Sequence, residues 1–309
     1  MKQYIDNLKR ILKEGTTQGN RTAVEAITIP GTHMEFDLND GFPLITTKKM
    51  ATKAIVGELI GFMRGYDNAK DFRELGCGIW TANANETPEW LASPYRKGED
   101  DLGRIYGVQW RKRRDIKFAS NGAEYEYLMK AGYLKHSGYV YSREFDQLDW
   151  CIDEIRNNPG SRRIIIDAWK PDEFAEMALP PCHVSYHWLV NQKTKTLNLC
   201  MHQRSADYFL GVPFNIASAS LLLSIMARAT NLQPGKFNHF LDDSHVYSNA
   251  LDQVKTQIKR KPLKLCYLAI DSDNWDLSST DALCDSIQPG DFAFNRYASH
   301  DPIKAEMVV

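Results

Sequence analysis

The chain has 309 residues, 43% hydrophobic and 25% charged. That composition is ordinary for a globular protein and excludes disorder as the main state, and a chain of this length can bury roughly three quarters of the surface it exposes when unfolded. Its 38 Lys plus Arg nearly cancel 39 Asp plus Glu, so no global basic field exists to grip nucleic acid and no acidic tail is present.

Residues 1–14 put Tyr4, Ile5, Leu8, Ile11 and Leu12 on one face, which is helical spacing. This charged, amphipathic start has no apolar h-region, so no secretory signal is expected. Residues 23–38 are rich in Thr, Val, Ile and Phe around Pro30-Gly31 and predict two strands and a turn. Residues 51–65 read as a buried helix carrying one carboxylate, Glu58. Residues 83–104, with Pro88, Pro94 and Gly98, read as a surface loop, and 112–142 as a polar insert. Residues 148–155 are helical, and Arg162-Arg163-Ile164-Ile165-Ile166 is a buried strand with two arginines at its mouth. Residues 184–191 and 196–203 read as paired strands, and 216–230 as a second buried helix. The apolar stretch 216–229 is too short and too rich in serine to span a bilayer. A strand over 236–246, a helix over 248–259 and a strand over 262–270 follow. With no repeat or long linker, the expected architecture is one α+β domain over 1–309, a mixed sheet packed against helices.

The six cysteines, Cys77, Cys151, Cys182, Cys200, Cys266 and Cys284, contain no C-x-x-C pair. That argues against a disulfide framework and a structural zinc site, and for a reducing, cytoplasmic compartment. A lone cysteine is by default a small buried hydrophobe. Cys182 is different, because Pro180 and Pro181 pin the backbone just before it and polar residues surround it. A Cys–His dyad with His183 is disfavoured, since adjacent residues entering a strand point to opposite faces. An arginine would have to favour the thiolate instead.

Arginines are by default in surface ion pairs. Arg204 sits at the end of an apolar strand beside Ser205, Arg162 and Arg163 open another, and Arg21 precedes Thr22. Such positions suit a phosphate, whose oxygens match the guanidinium fork. No Walker or GxGxxG loop occurs, so neither a nucleoside triphosphate nor a dinucleotide is indicated. Asn215 stands among apolar residues; it is either the N-cap of the helix that follows or a base-reading amide, since it offers a donor and an acceptor together. His245 and Tyr247 alternate, so they share one side of a strand, as a packed pair or as ligands of a sugar hydroxyl. Glu58 is either a paired core carboxylate or an acid/base with a raised pKa.

In order along the chain these pieces resemble the thymidylate synthase family. They are Arg21-Thr22, Asp40–Leu44 with Thr46-Thr47-Lys48-Lys49, Glu58, Ile79-Trp80, and Tyr106-Gly107 with Gln109-Trp110-Arg111. Ser161–Ile165, Met177–His183, Gln203-Arg204-Ser205 with Asp207, and Leu210-Gly211 with 213–217 follow. The last are His245, Tyr247-Ser248-Asn249 and Ile303-Lys304. The Pro-Pro-Cys-His and Gln-Arg-Ser blocks are the most specific.

The resemblance implies a homodimer formed through the sheet. It also implies a covalent mechanism, in which Cys182 adds to C6 of dUMP and C5 attacks the methylene of 5,10-methylenetetrahydrofolate. Arg204 would hold phosphate and favour the thiolate, with Arg21 and Ser205 in the same phosphate site. Arg162 and Arg163 would act across the dimer interface. Gln203 belongs to the dUMP site, Asn215 would read N3 and O4 of uracil, and His245 and Tyr247 would bind the 3′-hydroxyl. Glu58 with His183 would relay protons, Tyr106 would help remove the C5 proton, and Asp207 would bind both substrates. Lys48, Ile79, Trp80, Leu210, Gly211, Phe214 and Val308 would form the folate pocket, closed by the tail. No metal is implied.

Several positions depart from the family pattern: Ala23-Val24-Glu25, Thr81, Gly103-Arg104, His202, Ala219, Ala250 and the tail His300-Asp301-Pro302-Ile303, where the family has His-Pro-x-Ile. The expected product is dTMP with dihydrofolate. The alternative is a dUMP hydroxymethylase, in which water rather than hydride traps the C5-methylene intermediate, as in viruses with modified DNA; the compartment would then be the host cytoplasm. Asn215 favours uracil, because the related dCMP enzymes carry Asp there. A third reading, an idle nucleotide- or RNA-binding homologue, is opposed by the intact set of Cys182, Arg204, Asn215, Glu58 and Tyr106.

Overall fold

The structure, a computed structural model, describes residues 1–19 and 24–308. Its strands are β1 (Thr16–Gln18), β2 (Ala26–Asp37), β3 (Arg113–Phe118), β4 (Leu134–Ser137), β5 (Val140–Phe145), β6 (Ile165–Asp167), β7 (His183–Asn191), β8 (Thr196–Asp207), β9 (Gln233–Tyr247), β10 (Tyr267–Ile270) and β11 (Phe292–Asn295). The helices are α1 (Lys2–Glu14), α2 (Thr52–Met63), α3 (Ala69–Glu74), α4 (Thr81–Asn85), α5 (Pro88–Leu91), α6 (Tyr106–Arg111), α7 (Gly122–Lys130), α8 (Gln147–Asn157), α9 (Gly211–Ala229), α10 (Leu251–Gln257) and α11 (Thr280–Ser286).

The main sheet is mixed, in the order β1-β2-β9-β8-β7-β6. Adjacent strands are antiparallel except β8 and β9, which are parallel. A parallel pair needs a crossover, and α9 supplies it. Residues 216–227 of α9 are buried without interruption, which is why this segment is apolar on every side. Along β8, Leu197, Leu199 and Met201 are buried, while Asn198 and Cys200 are half-buried and His202 is exposed. The sheet is thus covered on one face and open on the other. One hydrophobic core runs from Tyr4 to Phe292.

The amphipathic start is α1, with Tyr4, Ile5, Leu8 and Ile11 buried. Other segments differ from expectation. Pro30-Gly31 does not turn the chain: β2 stays in one register on β9 from Ala26↔Tyr247 to Asp37↔Lys236. β1 pairs with β2 only over Ala26–Thr28, so beyond Thr28 β2 is an edge, where proline leaves no ladder bond unmade. Residues 83–104 do run along the surface, with Glu86, Leu91, Tyr95 and Lys97 exposed, but they carry α5 and buried anchors that a plain loop would lack. Trp90 is 2% exposed, its indole donates to the Asp101 carbonyl at 2.6 Å, and Asp100 accepts both arms of Arg73. The polar residues there satisfy one another under the surface.

The 112–142 insert folds as an antiparallel sheet, β3-β5-β4, with α7 over a satellite core of Ala119, Leu128, Tyr133 and Tyr141. β6 alternates instead of being buried on both faces, with Ile165 37% exposed between Ile164 and Ile166. The 248–259 helix is a short 3-10 turn followed by α10, and only Tyr267–Ile270 of 262–270 forms a strand. The apolar stretch begins at Gly211, not 216, so α9 reaches 19 residues and is long and apolar enough to cross a membrane by length and composition. It is instead the buried crossover.

Gly107 places α6 against α2. A Cβ there would stand 2.6 Å from the carbonyl oxygen of Phe62 and 2.8 Å from its Cα. Gly107→Ala is therefore expected to force α6 outward and cost on the order of 1–3 kcal/mol. Urea unfolding checks this, and an unmoved midpoint would mean the crossing tolerates a methyl group.

Candidate active site

A cleft of about 940 Å³ opens where β8, β9, α2, α9 and the 174–183 segment meet, with Met307 and Val308 of the tail in its lining. Cys182 lies half-buried in it. Pro180-Pro181 delivers the chain to this point, and hydrogen bonds hold both sides of the cysteine backbone. Its N–H donates to the Tyr106 hydroxyl at 2.7 Å, and its carbonyl accepts from the Arg204 N–H at 2.9 Å. The Arg204 guanidinium donates to the carbonyls of Pro181 at 3.0 Å and Pro180 at 3.1 Å and lies 4.8 Å from the centre of the Trp169 ring. A cation is therefore clamped to the segment that carries the thiol.

Strand alternation put Cys182 and His183 on opposite faces, yet both line the cleft. Cys182 precedes β7, and the β7–β8 register slips between His183 and Ser185, so simple alternation does not apply. His183 is not a charged partner for the thiol. Burial lowers its pKa to about 4, against an opposing hydrogen bond with Asn215, and its Nδ1 is engaged with the Tyr186 hydroxyl at 2.9 Å.

Of the carboxyl groups in the cleft lining, Glu58 and Asp207 are the two that the sequence singled out. Glu58, 6% exposed on α2, accepts from the Trp80 indole at 3.1 Å. Burial pushes its pKa up to about 7, and the Trp80 bond only partly opposes this, so near neutral pH it can give or take a proton. Asp207, the last residue of β8, accepts from the N–H groups of Phe209 at 2.9 Å and Leu210 at 3.2 Å. Its carboxyl is also raised by burial, against those two bonds and the charges of His245 and Lys48.

Asn215 lies one turn inside α9, so it is not the N-cap that its sequence position allowed. Its Oδ1 accepts from Gln203 Nε2 at 3.0 Å. His245 is paired in register with Asp207 across the parallel strands, and its ring centre is 5.0 Å from that of Tyr247. Burial disfavours its charge, but the hydrogen bond and charge of Asp243, with Asp207, outweigh this and raise its pKa. Ile79, Trp80, Leu210, Gly211 and Phe214 form an apolar wall, with Ser205 and Arg204 among the polar lining.

Other expected residues lie elsewhere. Lys48 is outside the lining: it is buried, bonded to the Phe209 carbonyl and 3.8 Å from that ring's centre, and burial lowers its pKa to about 8 despite Asp207. Its aliphatic stem is drawn into the core and its ammonium caps a carbonyl instead of reaching the cleft. Arg162 and Arg163 are exposed, away from this chain's own cleft. Arg21 lies outside the described residues.

Of the departing positions, Arg104 pairs with Glu173 at 2.5 Å, Ala219 and Ala250 pack in the core, and His202 stacks on Phe240 on the open sheet face. Thr81 accepts from Arg73 at 3.2 Å, and the carbonyl of Asp301 accepts from Arg260 at 2.6 Å. Trp169, Tyr186 and Asp243 were not anticipated. Asp243 was findable, two residues before His245 on one strand face; the other two reach the site only by folding. Among the described residues, no group of three His, Cys, Asp or Glu could hold a metal ion.

The family model described as thymidylate synthase matches residues 2–309. Curated relatives include the thymidylate synthase of Pseudomonas putida, 42% identical over 323 aligned positions, and that of Bordetella parapertussis, 40% identical; each alignment covers the whole of both chains.

In the unfolded chain Glu58 ionises near its ordinary 4.5, and in the folded chain near 7. Between these values the folded state keeps a proton that the unfolded state has lost, so stability falls as pH rises through that window and stays reduced above it. Glu58→Gln is expected to stabilise the protein by on the order of 2–3 kcal/mol at pH 8 and hardly at all at pH 4. Urea unfolding at both values tests this; equal shifts would refute the burial argument.

Proposed function

This chain belongs to the thymidylate synthase family, and from that premise we propose that its cleft methylates dUMP at C5, with Cys182 as nucleophile. The observation that carries the reading is the convergence in one cleft of a half-buried thiol, a clamped guanidinium and an oriented carboxamide.

The cleft fits a nucleotide together with a folate. Its volume is at the upper end for a ligand pocket, and the wall of Ile79, Trp80, Leu210 and Phe214 offers an apolar surface to a pterin. When bound, 5,10-methylenetetrahydrofolate supplies the one-carbon unit and the hydride. Cys182 adds to C6 of the uracil, with Arg204 stabilising the thiolate and, with Ser205 and Arg21, the phosphate. Asn215 reads N3–H and O4, and His245 with Tyr247 holds the 3′-hydroxyl. Glu58, protonated up to about pH 7, handles the proton at O4 with neutral His183, and Tyr106 helps remove the C5 proton. Asp207 orients the pterin, and Val308 closes the apolar wall. The end-to-end relatives carry the synthase name, which favours hydride over water at the last step and disfavours the hydroxymethylase.

The reading extends to a homodimer. The sheet face bearing Cys200, His202 and Phe240 is uncovered, and Arg162 and Arg163 are exposed and point to no site of their own chain. A second copy on that face would bury it and bring Arg162 and Arg163 of the partner subunit to the phosphate. Residues 1–309 act as one catalytic domain, and six unpaired thiols suit a reducing, cytoplasmic setting.

Incubating the protein with dUMP and 5,10-methylenetetrahydrofolate and weighing the nucleotide tests the reaction. A product heavier by one methylene unit is expected; a hydroxymethyl product would overturn the synthase assignment. Cys182→Ser should lower turnover on the order of 10³-fold or more while dUMP still binds. Asn215→Asp should weaken dUMP use by about two orders of magnitude and gain dCMP use. Mixing inactive Cys182→Ser with inactive Arg163→Ala should restore part of the activity as subunits exchange, because one site of each mixed dimer is intact; no recovery would refute the shared phosphate site.

A further inference from the structure

We propose that His239 is the positioning residue that makes this cleft read uracil and refuse cytosine, by locking the carboxamides of Gln203 and Asn215 in one of their two orientations. The proposal rests on the dUMP reading above and deepens it.

The hydrogen bonds admit one assignment. The Ser205 carbonyl can only accept, so the Gln203 atom 2.9 Å from it is the amide NH₂. That same NH₂ lies 3.0 Å from Asn215, whose facing atom is therefore Oδ1. The other end of the Gln203 carboxamide is its oxygen, 2.8 Å from His239 Nε2. An oxygen accepts, so Nε2 carries the proton. Nδ1 is then the bare nitrogen of the ring, and it is buried with no hydrogen-bond partner; a proton there would be a buried, unmet donor. His239 is 0% exposed. It sits on β9 between Met201 of β8 and Met34 of β2, its ring stacked 5.3 Å from that of Phe237. Burial holds its pKa well below 6.5, and His183, His33 and His202 oppose a charge further. The ring is thus neutral and confined to one tautomer.

The consequence appears at the base. With Oδ1 turned to Gln203, Asn215 offers Nδ2 and the second lone pair of Oδ1, which match O4 and N3–H of uracil. Cytosine presents an NH₂ and a bare N3, and needs the carboxamide reversed. Reversal would set the NH₂ of Asn215 against the NH₂ of Gln203. Gln203 could follow only by turning its NH₂ onto the His239 N–H and its oxygen onto the Ser205 carbonyl. Each of these is a repulsive buried pair. His239 therefore acts on the base through two intervening amides while lying outside the cleft lining.

The test uses the full chain as wild type, His239→Phe and His239→Gln. Phe keeps the ring and removes the donor; the NH₂ of Gln can occupy the place of Nε2–H. Wild-type turnover of dUMP reports on the proposed activity by itself, and the variants report on His239. The readout is kcat/KM for dUMP relative to the inhibition constant of dCMP. Phe is expected to reduce this discrimination about tenfold, the worth of one neutral hydrogen bond, and Gln to recover most of it. Equal discrimination in all three proteins would overturn the proposal. The ring tautomer is measured independently of any variant, by ¹⁵N NMR of histidine-labelled wild type: a His239 protonated at Nε2 alone supports the lock, and an Nδ1–H tautomer or an imidazolium at pH 7 overturns it.

Discussion

The parallel pairing of β8 with β9 is the constraint on which the site depends. It forces a crossover, the crossover is α9, and α9 must begin where β8 ends. Asp207, at that junction, satisfies the amides of Phe209 and Leu210 that lead into the helix. The same junction sets Asn215 one turn into α9 beside Gln203, and the register brings His245 alongside Asp207. Antiparallel β7 returns past β8 and delivers Cys182 to the same end through the Arg204–Cys182 backbone bond. Cys182, Gln203, Asp207, Asn215 and His245 converge because the segments that carry them meet at one end of the sheet.

Exclusion of water then sets the chemistry. The Glu58 carboxyl is pushed up to about 7, the His183 imidazole down to about 4 and the Lys48 amine down to about 8, each with burial as the largest cause. All three shifts favour the uncharged form, the mark of a low-dielectric interior. Charge is favoured there by geometry: the Arg204 guanidinium lies over Trp169 against two proline carbonyls, and Asp243 raises the pKa of His245 against its burial. In such surroundings hydrogen-bond direction carries more weight than net charge, which is why chains of amides can govern selectivity.

Much of this was legible in the residues. Helical periodicity identified α1, alternation identified β7 and β8, and apolar runs identified α2 and the body of α9. The Pro-Pro-Cys-His, Gln-Arg-Ser and Phe-Asn-Ile-Ala blocks carried the family resemblance in order, because they are runs of particular side chains readable without the fold. What misled was local: Pro30-Gly31 looked like a turn, 83–104 looked like loop without helices or buried anchors, and alternation was applied to Cys182 before its strand begins.

The sequence by itself determined the chemical inventory, the main elements and the family, since these follow from side-chain identity and short-range periodicity. Only the tertiary structure decided which groups meet. It sent Lys48 to a core carbonyl, turned Cys182 and His183 into one cleft through a register slip, and set His239 behind Gln203 and Asn215. These outcomes depend on contacts between residues tens to hundreds of positions apart, whose directions are fixed by strand register and helix crossing and leave no trace in local spacing.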